Sequence, residues 1–271
     1  MSLGDGSREM NEYGANGQEK YYVKSVMKAI DLLLCFSYQS EWTINELSRE
    51  LCMNRSTVNR LLISLGAKGF LVRDPESGKY RLGLKIIEVA ANLLNQMDIR
   101  KTAAPVLKEL SAKCYETVDL AIWYEDQTLF IDHLESPHQV KVVSFVGQRM
   151  PAHCNAPGKV FLANLPPAEL RRVLAKGLEK CTPNTVTDPA VLIKELEEIK
   201  RSDVAFDFEE HSLEISACAS PIRDFRAQVV AAVSIVGPSS RINEKLKDHL
   251  AVLVKEAAKE ISLRLGYQIS N

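Results

Sequence analysis

The sharpest period in the chain lies between residues 42 and 69. There Val58, Leu61, Leu62 and Leu65 recur at i, i+3, i+4 and i+7, one apolar stripe of an α-helix. The other side of that helix carries Ser56, Thr57, Asn59 and Arg60, with Arg55 at its entrance. Ile44, Leu47 and Leu51 give a second, shorter stripe just upstream. Its start is punctuated: Thr43 followed by Glu46 is a capping box, and Trp42 is placed to pack on Leu47 as a hydrophobic staple. Asn54 stands where an N-cap for the following helix belongs. Two short helices around a tight turn read as a helix-turn-helix. Phe70-Leu71-Val72 and Lys79-Tyr80-Arg81-Leu82 are β-prone runs around the turn-rich Asp74-Pro75-Glu76-Ser77-Gly78, which predicts a hairpin directly after the second helix and hence a winged helix.

Further along, the pattern predicts two more parts. Val26, Ile30, Leu33 and Leu34 predict a first helix that closes a three-helix core, while residues 1–20 are nearly devoid of apolar positions and are expected to be disordered. From Leu84 to Met97 a helix is expected, with Ile86, Ala90, Leu93, Leu94 and Met97 on one side and Lys85, Glu88, Asn92 and Gln96 on the other. Such a stripe between two domains pairs with a copy of itself or packs on the next domain, and a dimer contact is the favoured reading. From Ile99 to Tyr267 the elements mix. Helices are expected at Ala104–Cys114, Gly158–Asn164, Pro167–Lys176, Val191–Arg201 and Asn243–Leu265. Strands are expected at Val118–Tyr124, Gln127–Leu134, Val140–Val146, Val204–Phe208, Ser216–Arg223 and Val229–Val236, with Glu125-Asp126 as the tightest turn. Consecutive strands with short connections imply an antiparallel sheet with helices on its faces, an α+β arrangement able to cup a small molecule.

Composition narrows the classes. At 271 residues, 46% hydrophobic and 25% charged, the chain reads as a globular protein of two domains. No apolar run approaches the roughly 20 residues of a membrane span, and the N-terminus lacks the order of a secretion signal, so the expected location is the cytoplasm, with no membrane partner. Six scattered cysteines without a C-x-x-C pair give neither a zinc module nor a disulfide framework; they are expected to be reduced and mostly buried. The net charge of −1 is unevenly spread: from Lys20 to Leu82 ten basic residues face six acidic ones, a net of +4, leaving −5 for the rest. That asymmetry suits a chain that approaches polyphosphate with one end.

The runs SVMKAIDLL, TINELSREL, STVNRLL, GFLVRDPESGKYRLGLKIIEVA, RMPAHCNAPGKVFLA, FDFEEHSLEISACASPIRD and VVAAVSIVGPSSRI resemble, in order from Tyr21 to Tyr267, the successive motifs of the IclR family of bacterial transcription regulators. The resemblance implies a winged helix-turn-helix at 21–83, a linker helix at 84–98 and an effector domain at 99–267 with a GAF-like or profilin-like sheet. It also implies a dimer or tetramer, a double-stranded DNA operator as partner and a small-molecule effector. No cofactor is expected. It places Arg55, Ser56, Thr57, Asn59 and Arg60 near bases or phosphates, with Arg73, Lys79 and Arg81 on the wing. For the effector it points to Met150, Cys154, Ala156, Pro157, Asp207, Ala217, Ser234 and Val236. Free N–H groups at a helix start attract a carboxylate, a reason to expect an organic acid. Pro157 removes one such donor. Ala217 stands where relatives frequently carry a cysteine, with Cys218 beside it, and Val236 replaces a residue that can be polar. These departures suggest a ligand bulkier or less polar than a two- or three-carbon acid.

A second class has to be weighed. Cys154 or Cys218 as nucleophile, with His153 or His211 as base, would make a thiol-dependent enzyme acting on a small acid. Against it stand the absence of a nucleophile elbow, a phosphate-cradling glycine loop or a dinucleotide fingerprint. A metal held by His153, Cys154, His211 and Cys218 is conceivable in ligand type, but the spacing matches no zinc motif.

Overall fold

The computed structural model of the chain describes residues 22–96, 98–242 and 244–268. The tail expected at 1–20, Tyr21, Met97 and Asn243 lie outside the described residues, as do the side chains of Leu93 and Leu94. The chain divides into two compact units, one up to Leu94 and one from Asn95.

In the first unit, α1 (Lys24–Leu34), α2 (Ile44–Glu50) and α3 (Arg55–Ala67) precede β1 (Leu71–Arg73) and β2 (Tyr80–Leu82), and α4 (Lys85–Gln96) follows. The capping box forms: the Glu46 N–H donates to Thr43 Oγ1 at 3.3 Å and the Thr43 N–H to Glu46 Oε2 at 2.7 Å. Asn54 caps α3 by accepting the Thr57 N–H at 2.8 Å. Trp42 and Leu47 share one core with Val58, Leu62, Leu71 and Tyr80. β1 and β2 pair antiparallel, and Trp42 adds one bridge to Tyr80 as a stub of a third strand. In the turn between them Asp74 Oδ1 accepts the N–H groups of Glu76 and Ser77 at 3.0 and 2.7 Å, and Gly78 takes a φ of +70°.

The first helix departs from expectation. Val26, Ile30 and Leu34 are 52%, 45% and 55% exposed rather than in the core. The core contacts come from Leu32, Cys35 and Phe36, with Leu33 partly packed against it, because only the last turn of α1 and the turn after it reach the other elements. A period identifies a face, not its neighbour.

The second unit runs α5 (Asp98–Cys114), β3 (Thr117–Tyr124), β4 (Gln127–Leu134), β5 (Arg149–Pro151), α6 (Ala156–Asn164), α7 (Pro167–Leu174), α8 (Pro189–Ser202), β6 (Ala205–Phe208), β7 (Ile215–Arg223), β8 (Val229–Pro238) and α9 (Glu244–Arg264). Among the described residues its six strands form one antiparallel sheet in the order β5-β4-β3-β8-β7-β6. The β3–β4 turn is Glu125-Asp126, both at positive φ (48° and 62°), the geometry that matches strand twist in a two-residue hairpin. One sheet face packs Val118, Leu120, Ile222, Val233 and Ile235 with residues of α5 and α9. The other packs Ala121, Ala217, Ala219, Ala232 and Val236 with residues of α6 and α8.

The strand expected at Val140–Val146 does not form, and the edge strand is Arg149–Pro151, paired to β4. The segment is held by side chains instead of a ladder. Thr117 Oγ1 donates to the Val142 carbonyl at 2.7 Å and Ser144 Oγ to Asp119 Oδ2 at 2.9 Å, leaving Val140, Val143, Phe145 and Val146 exposed. The cysteines are all free thiols, yet three rather than most are buried: Cys35, Cys154 and Cys218. No described helix is long and apolar enough to cross a membrane.

Candidate functional site

Two sets of residues deserve a chemical reading, one in each unit. On α3, Val58 and Leu62 are fully buried, so the helix has no freedom to rotate, and Arg55, Ser56, Asn59 and Arg60 are thereby fixed on its solvent side. Arg55, Asn59 and Arg60 make no side-chain hydrogen bond or ion pair among the described residues. Ser56 Oγ donates to Asn54 Oδ1 at 2.9 Å and so serves the cap, and Thr57 is half-buried. On the wing Arg81 is exposed, Arg73 lies over the Tyr80 ring at 5.9 Å, and Lys79 reaches Glu41 at 3.5 Å. Three unpaired polar side chains on one rigid face, beside cations on a hairpin, are the tools of phosphate and base-edge contact.

The second set is assembled across the sheet. Asp207 pairs in register with Ala217, and Ala217 with Val236, so these three form one transverse row; Ser234 lies in the next row, opposite Ala219. Directly opposite residues of antiparallel strands share a face, and this face belongs to α6. Ala156, Met150, Ala217 and Val236 pack in the same cluster, so the structure brings these predicted residues together. Cys218 is on the opposite face, in the α5–α9 core, and cannot take the part of the thiol missing at position 217.

The start of α6 is tightly bound. Asn155 Nδ2 donates to the Pro151 carbonyl at 2.6 Å, while its Oδ1 accepts Gly158 N–H at 2.8 Å and Thr128 Oγ1 at 3.0 Å. A Cβ on Gly158 would lie 2.3 Å from the Ala152 carbonyl oxygen, so only glycine allows this approach. With Pro157 lacking an N–H and Gly158 capped by Asn155, Ala156 keeps the free first-turn donor. The helix start thus offers less to an anion than its sequence suggests.

Burial shapes the electrostatics. Asp207 is pushed up to about 7, first by desolvation, although it accepts the Glu210 N–H at 2.8 Å. Lys159, fully buried on α6, donates to Glu195 Oε1 at 2.7 Å, to the Phe206 carbonyl at 3.2 Å and to Glu210 Oε1. Burial draws its pKa down, but Glu210 and Glu195 outweigh that and hold the ammonium charged. Asp119, 2% exposed, is pushed up to about 7 by desolvation, with the Ser144 hydroxyl acting against it. Sequence reasoning passed over Asp119 and Lys159. Their signal was a single charged residue inside an otherwise apolar run, TVDLAIWY and APGKVFLA.

The thiol chemistry weighed above finds no dyad among the described residues. Cys154 Sγ lies 3.4 Å from the Pro151 carbonyl and 3.7 Å from Cys181 Sγ, and burial together with Cys181 drives its pKa strongly upward. Cys218 is pushed up to about 12 by burial. His153 Nε2 contacts the Glu179 carbonyl at 2.8 Å, and His211 Nδ1 contacts Ser212 Oγ at 2.9 Å. Cys218 faces away from the other three, so the quartet His153, Cys154, His211 and Cys218 is not gathered. A separate groove of about 510 Å³, lined among others by Glu125, Asp126, His153, Leu174 and Glu179, holds none of the predicted effector residues.

A winged helix-turn-helix in one unit and a curled antiparallel sheet with helices in the other define a DNA-binding transcription regulator. Residues 91–263 match the model of the bacterial transcriptional regulator IclR C-terminal domain, and residues 25–75 match the IclR helix-turn-helix domain. The chain belongs to the IclR family. It is 34% identical over 225 residues to the transcriptional repressor AllR of Escherichia coli, covering 83% of each chain. It is 31% identical over 246 residues to the transcriptional regulator KdgR of Dickeya chrysanthemi, covering 90% of this chain and 81% of that one. Among solved structures, an Alicyclobacillus acidocaldarius family member superposes with a TM-score of 0.81 at 29% identity, covering 91% of this chain and 100% of the other. An IclR homologue from Microbacterium hydrocarbonoxydans complexed with 4-hydroxybenzoate superposes with a TM-score of 0.79 at 27% identity, covering 89% and 98%.

Proposed function

We propose that this protein binds a specific operator through α3 and the β1–β2 wing, and that an organic acid held against the α6 face of the sheet sets its affinity. The reading takes residues 21–83 as the DNA-binding part, 84–98 as a linker and 99–267 as the effector part, working in the cytoplasm. What carries it is the set Arg55, Asn59 and Arg60, exposed and without partners among the described residues, on a helix whose other side buries Val58 and Leu62. Arg60 contacts the duplex closely. Asn59 reads adenine by a bidentate bond, discrimination of about 1–3 kcal/mol. Arg73, Lys79 and Arg81 follow the backbone.

Support for the acid is the row of Asp207, Ala217 and Val236 beside Ser234, and the homologue that takes 4-hydroxybenzoate. Ala217 and Val236 make the floor apolar, which suits a ligand larger than a two- or three-carbon acid. The working form is a homodimer or homotetramer. Ile30 and Leu34 on α1, and Leu84 and Ile87 at the start of α4, are 45–77% exposed, and a second copy would cover them.

Fluorescence anisotropy on genomic promoter fragments tests the DNA part. Arg60→Ala abolishes retention of the preferred fragment while circular dichroism stays unchanged, and undiminished affinity removes Arg60. Binding falls steeply with salt because each neutralised phosphate releases counterions, so a flat salt profile contradicts the proposal. Cys154→Ser and Cys218→Ser keep ligand-sensitive operator binding; loss in both would favour thiol chemistry instead.

A further inference from the structure

The polar row next to the predicted effector residues continues beyond them. Ser234 on β8 pairs in register with Asp119 on β3, and Asp119 with His133 on β4, so the three side chains stand side by side on the α6 face. Adjacent strands are about 5 Å apart, which places the three groups within reach of one ligand. Each has an unused polar group. Among the described residues Asp119 Oδ1 and His133 Nδ1 are buried with no hydrogen-bond partner, and the buried Ser234 side chain makes no hydrogen bond. Asp119 is nonetheless held in place, since its other oxygen accepts the Ser144 hydroxyl at 2.9 Å.

Buried polar groups that serve only the fold find partners, usually one another when they are neighbours. These three do not. A carboxylate oxygen accepts, a serine hydroxyl does both, and an imidazole nitrogen donates or accepts according to tautomer. A group that satisfies all three at once is a hydroxyl, which donates to Asp119 Oδ1 and accepts from both Ser234 Oγ and His133 Nδ1.

Resting on the effector reading above, we infer that Ser234, Asp119 and His133 form a hydroxyl-recognising subsite, so that the effector is a hydroxylated carboxylic acid. Asp207 lies three strand spacings from Asp119 across β7 and β8, about 14 Å, and Ala217 and Ala219 occupy the ground between. Those alanines are packed against α6 and α8, so it is the hydroxyl end of the ligand that the subsite takes, at β3.

The test uses the full chain and two matched pairs of acids, mandelate against phenylacetate and 3-hydroxybutyrate against butyrate, by calorimetry and thermal shift at pH 8. In the wild type at least one hydroxylated acid binds about tenfold more tightly than its deoxy partner, the worth of one good hydrogen bond. In Asp119→Leu that preference shrinks to within about twofold while the deoxy acid keeps its affinity. The melting midpoint of unliganded Asp119→Leu falls no further than that of Ser144→Ala, which loses the same tether; a fall several degrees beyond it would mark Asp119 as a fold residue and overturn the inference. Acids that bind without hydroxyl preference, or a preference that survives Asp119→Leu, overturn it too and leave the effector reading standing. If none of the four acids shifts the midpoint or the operator affinity, the effector reading falls and the subsite with it.

Discussion

On α3 the groups proposed to act, Arg55, Asn59 and Arg60, are in water, and the buried side of the helix is purely aliphatic. On the α6 face of the sheet the order is reversed: Asp119, Asp207, Ser234 and Lys159 are buried, and several of them set the local electrostatics. A surface site can change its reading residues at almost no cost in stability, since solvent satisfies whatever the partner does not. A buried site is coupled to the fold, so its polar groups must be paired, neutralised or left idle at a cost.

Measurements can break this contrast in order of size. Lys159→Met leaves Glu195 and Glu210 facing an apolar side chain, and urea unfolding should show the effector unit about 3–5 kcal/mol less stable. Adding Glu210→Gln should recover part of the loss; full stability of the single variant would mean that the buried triad is not coupled to the fold. Next comes pH. Burial pushes the folded Asp119 carboxyl up to about 7 from an ordinary 3.8, so the folded state binds the extra proton between those values. Its contribution to stability is therefore complete below about pH 4 and lost as pH rises through about 7, up to about 4 kcal/mol. Asp119→Asn should remove that slope, and parallel curves for the two proteins would contradict the burial argument.

On the surface side the effects are smaller. Thr43→Ala removes the cap of α2 and should cost about 1 kcal/mol of the first unit's stability, read from its own unfolding transition. Arg60→Ala should change stability by less than about 0.5 kcal/mol even as DNA binding is lost. A large destabilisation would mean that Arg60 belongs to the packing.

The difference also explains what could be read from residues in a row. Thr43, Glu46 and Asn54 cap helices through partners three residues away, and the stripe Val58, Leu61, Leu62 and Leu65 repeats within one helix, so the helix-turn-helix was legible. Val140–Val146 misled because alternating valines say β, while Thr117 and Asp119, more than 20 residues earlier, tether the segment by side chains. Val26, Ile30 and Leu34 misled because a helix face was taken to face its own core.

Local periodicity, caps and turn residues by themselves determined most of the elements, the winged helix, the antiparallel character of the sheet and, through resemblance, the family. These are short-range matters, settled by backbone preference and by side chains three or four positions apart. Only the tertiary structure decided that Cys218 turns away from the α6 face, that Lys159 is buried between two glutamates, and that Ser234, Asp119 and His133 stand abreast. Strand register makes neighbours of residues separated by more than a hundred positions, and burial then sets their charge.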